Sequence, residues 1–306
     1  MKDFSQNNWG LVLAGGGGKG AYQIGVFRAL FEKGLDNYIT AVSGASVGAL
    51  NLVLFECNDI KMAESVWSGI SYEQFLEISP EMIDFKEGLV SREGLLNILD
   101  NYVDLEIIRK SERRLMVSAT EYDEYGMGKG KIKYFSLNYR TSEEIKNILL
   151  ASSTLPLVYE PVQIENKMYR DGGIRDNLPI EPLYVDGIRH FIVVGLSVGT
   201  KIPYEKYPDA EFIFIKPSNS IGDFWDGTLD FSKEGAKVRM ELGYLDGMRT
   251  LEFSDRDLKE PEARAEYEAA EARDYNKIIF FHRKKKLEDS VQTHMDQINS
   301  LIDKYS

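Results

Sequence analysis

The chain has 306 residues, 43% hydrophobic and 28% charged, with 37 Lys and Arg against 49 Asp and Glu for a net charge of −12. That length supports a substantial core in one large domain or two small ones, and that charge argues against bulk binding of nucleic acid. A single cysteine, Cys57, excludes an internal disulfide and suits a reducing compartment.

Met1 to Trp9 is polar, with no apolar stretch flanked by a cleavage site. No run of about 18 apolar residues occurs anywhere. The expectation is a cytoplasmic protein, with peripheral contact at a membrane surface left open.

Trp9 to Ala14 is a short apolar run that predicts a buried strand. Gly15, Gly16, Gly17, Gly18, Lys19 and Gly20 then form a loop of glycine and lysine alone. Ala21 to Lys33 has helical spacing, with Ile24, Phe27, Leu30 and Phe31 on one face and Gly34 as the cap. Tyr38 to Val42 reads as a second strand and Val47 to Glu56 as a helix. Cys57, at its end, reads as a small buried residue. Strand, helix, strand, helix predicts an α/β fold with parallel strands.

Residues 58–110 read as a mostly helical insertion covering one sheet edge, clearest at Ile60 to Ile70 and at Ser91 to Tyr102, with Ser91 as N-cap. Leu115 to Ala119 and Ile132 to Leu137 are strand-like, and the charged turn Tyr122 to Lys131 between them suggests a hairpin or edge pair. Thr141, Ser142 and Glu144 open a helix to Ala151. Pro156 and Pro161 break the chain after that helix; Val162 to Ile164 and Met168 to Arg170 look extended. Phe191 to Val198 and Phe212 to Ile215 predict two further core strands. Beyond Pro217 the character is helical, at Phe231 to Phe253, Glu262 to Arg273 and Val291 to Ile302. The basic cluster His282 to Lys286 reads as a solvated turn, with docking on anionic lipid as the alternative.

Between the second strand and its helix lies Gly44-Ala45-Ser46-Val47-Gly48, of the form G-x-S-x-G. A serine on a sharp strand-to-helix turn presents its hydroxyl clear of the sheet, and small neighbours admit substrate and helix. The glycine loop exposes backbone N–H groups ahead of a helix N-terminus, which makes an anion cradle for a phosphate or for the oxyanion of a tetrahedral intermediate. The P-loop pattern fails, because Lys19 is followed by Gly20 and position 13 is Leu. Gly15, Gly17 and Gly20 fit a dinucleotide fingerprint, but the second strand ends in Ser43-Gly44 where that fold needs an acid.

A base for Ser46 is sought among His190, His282, His294 and Asp171. His190 precedes its strand and is expected at the opposite sheet edge. His282 and His294 are expected at the surface. The order Ser46, Asp171, His190 leaves a triad open. Asp171, on the turn Asp171-Gly172-Gly173, is the stronger candidate, and its simpler reading is an Asx-turn residue. If the strands that carry Gly15, Ser46 and Asp171 are parallel, all three loops emerge at the carboxyl edge of one sheet.

Four blocks in order resemble the patatin-like phospholipases: the loop Gly15 to Gly20, the turn Gly44 to Gly48, the segment Ala151-Ser152-Ser153-Thr154-Leu155-Pro156 with Pro161, and Asp171-Gly172-Gly173 with Asn177 and Pro179. The resemblance covers about residues 9 to 198. It implies a mostly parallel central sheet in a three-layer α/β/α sandwich, with a catalytic domain over 9–217 and a mainly helical region over 218–306 packed on it. It implies a Ser46–Asp171 dyad acting on acyl esters of lipids, with the N–H groups of Gly16, Gly17 and Gly18 holding the oxyanion and Lys19 adding charge. No metal or organic cofactor is implied. Thioesterase or transacylase chemistry at the same site remains open, as does a phosphate-binding module without catalysis. Ile221, Phe224, Trp225, Leu229 and Phe231 are expected mainly as core, with a substrate-covering role as the alternative.

Overall fold

The computed structural model describes residues 4–5, 8–69, 92–123, 129–154 and 160–305. Within them the chain divides into two compact units, Met1–Asp255 and Arg256–Ser306.

The first unit is built on an eight-stranded sheet. Its parallel part comprises β1 (Trp9–Leu13), β2 (Ile39–Ala45), β3 (Arg114–Tyr122), β7 (His190–Val194) and β8 (Glu211–Ile215), in the spatial order β3-β2-β1-β7-β8. The continuous apolar runs make sense here, since these strands are covered on both faces. Helices α1 (Ala21–Glu32) and α2 (Val47–Glu56) return the chain between the first strands. The insertion supplies α3 (Ile60–Gly69), α4 (Arg92–Tyr102) and α5 (Leu105–Lys110); Ser91 and Ile70 lie outside the described residues. Helix α6 (Ser142–Ser152) starts on a capping box between Thr141 and Glu144. Short α7 (Glu181–Val185) packs on one sheet face, in an apolar cluster with Val12, Ala41, Phe191, Val193 and Tyr207.

The remaining strands correct the all-parallel premise. β4 (Lys131–Ser136) pairs antiparallel with β3, as a hairpin or edge pair requires, although residues 124–128 of the connection lie outside the described ones. β6 (Lys167–Asp171) is also antiparallel to β3, and β5 (Val162–Ile164) pairs with β6. The register shows how β6 is accommodated. β4 occupies one edge of β3 from Met116 to Glu121. The other edge is shared: β2 takes it up to the pair Ala45–Ser118, and β6 takes it from the pair Asp171–Ala119 onwards. β2 and β6 therefore approach head to head along β3.

After β8 the chain forms a single wide π-helical turn at Phe224–Thr228 and then α8 (Lys233–Glu252), capped by the Ser232 hydroxyl. α8 crosses α1 with backbones nearly touching. A Cβ on Gly25 would lie 1.8 Å from the Met240 carbonyl oxygen, and one on Gly243 would lie 2.0 Å from that of Tyr22. Only glycine fits either position.

The second unit contains one continuous helix, α9 (Pro261–Tyr305). This corrects the reading of two helices separated by a turn at His282 to Lys286, because the basic cluster continues the helix. The side chains of His282 and His294 lie outside the described residues. No helix among the described residues is long and apolar enough to cross a membrane.

Candidate active site

Ser46 occupies the junction of β2 and α2 with φ 54° and ψ −127°. A positive φ at a residue with a Cβ is strained, by about 1–3 kcal/mol, and persists only where neighbours over-determine it. The neighbours here are visible. A Cβ on Gly44 would lie 2.3 Å from the Gly48 carbonyl oxygen, and one on Gly48 would lie 2.3 Å from that of Leu13. Both glycines of the G-x-S-x-G turn thus let α2 start directly against the sheet. The Ser46 N–H donates to Ser152 Oγ at 2.9 Å. Ser46 is the N-cap of α2, yet its hydroxyl is not spent on capping. The residue is 7% exposed, with the N-terminal end of the helix behind it.

Asp171 arrives from the opposite direction at the end of β6. Its N–H donates to the Thr154 carbonyl at 2.9 Å, and its carbonyl accepts from Thr120 Oγ1 at 2.8 Å. Oδ1 accepts from the Gly173 N–H at 2.7 Å, so the Asx-turn reading of Asp-Gly-Gly is correct as far as it goes. Oδ2 is buried and has no hydrogen-bond partner among the described residues. Burial pushes the carboxyl up to about 6, and the facing Ser46 hydroxyl and the Gly173 N–H partly oppose that rise. Ser46 thus stands close enough to favour the carboxylate while making no hydrogen bond of ordinary geometry. Gly172 is obligatory here, because a Cβ on it would lie 2.2 Å from the Ser118 carbonyl oxygen.

The glycine loop lies beside both. A Cβ placed on Gly15 would fall 2.9 Å from Ser46 Cβ and 2.6 Å from Asn177 Oδ1. Residues Gly17–Gly20 form a single 3-10 turn leading into α1. The carbonyls of the loop are tied back in succession: Ala14 accepts from Gln23 Nε2 at 2.8 Å, Gly15 from Asn177 Nδ2 at 3.2 Å and Gly16 from the Lys19 N–H at 3.3 Å. In a trans peptide the N–H points opposite to the carbonyl. Fixing those carbonyls therefore fixes the N–H groups of Gly15, Gly16 and Gly17. Among the described residues, these N–H groups and that of Gly18 have no acceptor. Unspent N–H groups at a partly buried loop are donors that can receive an anion.

The segment after residue 217 roofs this loop. Cβ atoms on Gly17 and Gly18 would lie 2.2 Å and 2.0 Å from the Thr228 and Asp230 carbonyl oxygens. Buried Arg239 of α8 holds the roof, donating to the carbonyls of Asp226 and Asp230 at 2.8 Å and to Asp230 Oδ2 at 2.7 Å. Lys19 runs along it, since a Cβ on Gly227 would lie 2.5 Å from Lys19 Cε. Burial and Arg239 lower the Lys19 pKa, with Asp223 and Asp226 opposing. Ile221, Leu229 and Phe231 are buried core; the Phe224 and Trp225 side chains lie outside the described ones.

His190 does not join the site. It pairs with Trp9 at the start of β1, its ring centroid is 5.2 Å from that of Trp9, and its Nε2 is 3.9 Å from Glu211 Oε2. Ser46 follows the far end of the neighbouring strand, roughly 20 Å away by strand rise. Cys57 caps α2 at intermediate exposure, and burial pushes its thiol up to about 11. No cluster of metal-ligating side chains occurs among the described residues.

Sequence reasoning misses the roles of several groups. Ser152 and Thr154 stand in the sequence only as members of a motif; in the fold they receive the N–H groups of Ser46 and Asp171. Arg239 carries no signal, because its acceptors are mainly backbone carbonyls. Asn51 is legible as a polar residue within the apolar helix Val47 to Glu56, and it is fully buried.

A strained serine between strand and helix, an acid at the same sheet level and a glycine loop with unspent N–H groups on a mostly parallel sheet define a class of α/β proteins with one composite site. The family model for patatin-like phospholipase matches residues 11–184, and the chain belongs to that family. It is 27% identical over 186 residues to "Probable lipid hydrolase 463L" of Invertebrate iridescent virus 6, covering 56% of this chain and 61% of that protein. It is 24% identical over 257 residues to "Lysophospholipase NTE1" of Cryptococcus neoformans, covering 79% of this chain and 14% of the fungal protein. The chain thus spans less than two thirds of either relative. The fold is similar to that of VipD from Legionella pneumophila, with a TM-score of 0.53 at 16% identity over 80% of this chain and 67% of that one.

Proposed function

We propose that the protein is a serine acyl hydrolase that cleaves fatty acyl esters of phospholipids or related lipids. The observation that carries this reading is the buried Asp171 carboxylate, with Oδ2 lacking a hydrogen bond of ordinary geometry, facing a strained Ser46 whose hydroxyl is not spent on capping α2. The relatives' names, a probable lipid hydrolase and a lysophospholipase, favour a lipid ester over other acyl compounds.

In this reading Ser46 Oγ attacks the ester carbonyl carbon while Asp171 accepts the hydroxyl proton. The carbonyl oxygen becomes an oxyanion held by the glycine-loop N–H groups, each such donor being typically worth about 10²–10³ in rate. Collapse expels the alcohol, which takes the proton from Asp171 and leaves an acyl-Ser46 ester. Water then attacks that ester, again giving its proton to Asp171. The second tetrahedral intermediate releases the fatty acid and returns the proton to Ser46 Oγ. Access to an interface between lipid and water would be peripheral.

The test is product identification by mass spectrometry after incubation with a mixed lipid extract. Free fatty acid should appear, Ser46→Ala and Asp171→Asn should abolish it, and His190→Ala should leave it near full rate. Acyl transfer to an added alcohol would make the protein a transacylase, and preferential cleavage of acyl thioesters a thioesterase. No acyl product, no labelling by a fluorophosphonate and tight nucleotide binding by calorimetry would replace the reading with a phosphate-binding module.

A further inference from the structure

Beneath the glycine loop lies a buried chain of side-chain amides that the proposed chemistry does not touch. Asn51 of α2 and Gln23 of α1 are both fully buried. Trp67 Nε1 of α3 donates to Asn51 Oδ1 at 2.9 Å. Asn51 Nδ2 donates to the Gly20 carbonyl at 2.9 Å and to Gln23 Oε1 at 2.7 Å. Gln23 Nε2 donates to the Ala14 carbonyl at 2.8 Å. An indole N–H only donates, so it dictates which way the Asn51 amide faces. A backbone carbonyl only accepts, and the two at the ends of the chain enforce the same direction. The relay is therefore oriented one way, from Trp67 to Ala14.

The two carbonyls it reaches flank the loop, Ala14 just before Gly15 and Gly20 at its close. Holding the Ala14 carbonyl sets the plane of the Ala14–Gly15 peptide and thereby the direction of the Gly15 N–H, beside Ser46. Buried amides in an apolar helix give little net stability over well-packed apolar residues, whereas a fully satisfied network specifies one geometry.

We infer that Asn51, acting through Gln23, is a positioning residue that preorganises the glycine loop to receive negative charge. The inference rests on the proposed hydrolase reading, but its first test does not depend on turnover. In Asn51→Leu, which keeps the branched outline but removes both donors and the acceptor, the ¹⁵N order parameters of the Gly15–Gly20 amides should fall below about 0.6, against about 0.85 for rigid backbone. With a short-chain ester as substrate, kcat should drop about 10²-fold, as for loss of one oxyanion donor, with KM unchanged within about twofold. Where Asn51→Leu fails to fold, Trp67→Phe serves; it deletes one hydrogen bond and retains the ring stacked on Phe231 at 6.2 Å. Loop amides as rigid as in the unaltered protein would overturn the inference, and so would a kcat within twofold of it. A wild-type protein without acyl-ester turnover would overturn the hydrolase reading alone, since the order parameters decide the role of Asn51 by themselves.

Discussion

Ser46 and Asp171 meet end to end along one edge of β3: Ala45, just before the serine, pairs with Ser118, and Asp171 pairs with the next residue, Ala119. Two strands running in opposite directions thus deliver their last side chains to one level of the sheet. The arrangement needs β3 to outlast β2, which it does by the four residues Ala119 to Tyr122. A hydroxyl and a carboxylate come together with no residue between them in the ladder.

The pH dependence stems from burial of Asp171, which raises its carboxyl to about 6. In the proposed reaction Asp171 is the base and must be ionised. Turnover of a soluble ester should therefore be level above about pH 7 and fall about tenfold per unit below about 6. A pH–rate profile of kcat/KM checks this, and a limb near 4 would mean that the carboxyl is not held in a desolvated state.

The same shift reverses the usual sense of a carboxylate's effect on stability. The folded-state value of about 6 lies above the ordinary 3.8, so the native protein binds the extra proton between those two values. Stability from this group is full below about 4 and is lost as the pH rises through 6. Asp171→Asn should therefore be more stable than the unaltered protein at pH 8, by up to about 3 kcal/mol, and no more stable at pH 4. Urea unfolding at the two pH values measures it.

Ser46 carries its cost in the backbone, with φ at 54°. Ser46→Gly removes the strain and Ser46→Ala retains it. Both should be inactive, but the glycine variant should unfold later, by about 1 kcal/mol. Thermal melts of the two side by side decide the point.

Removing the guanidinium of Arg239 should damage the roof of the glycine loop as well as the fold. Arg239→Met leaves Asp230 and the Asp226 and Asp230 carbonyls without their donor. Asp230 is only part-buried, so losing its partner should cost less than the ~3–5 kcal/mol of a fully buried pair. Activity of the folded fraction should fall as well, because Thr228 and Asp230 lie against Gly17 and Gly18. Denaturant titration and active-site labelling separate the two effects.

Gly25→Ala should destabilise by about 3 kcal/mol with little effect on KM, because its Cβ would enter the space of the Met240 carbonyl at 1.8 Å. Urea midpoints of this variant and of Gly243→Ala, which meets the same crossing from the other side, should fall together.

Much of this site is legible in the sequence because its requirements are local. Glycines at 17, 18, 44, 48 and 172 mark places where backbone must approach backbone, and that demand is written in residue type. The direction of β6 is not legible, because Met168 to Arg170 reads as extended whichever way it runs, and only the register on β3 sets it. Residues after 217 are opaque for another reason. Arg239 acts mainly on main-chain carbonyls, and a carbonyl leaves no mark in a sequence. The continuous α9 reads as two pieces because its basic middle resembles a solvated turn when side chains alone are considered.

The roof over Gly17 and Gly18 also has a meaning in time. Residues 14 to 20 are made before Thr228, Asp230 and Arg239, which complete their surroundings and come more than two hundred positions later. The glycine loop of a nascent chain stays uncovered until α8 has been made and has docked on α1. The order of synthesis therefore sets the order of assembly, with the glycine loop first and its cover last.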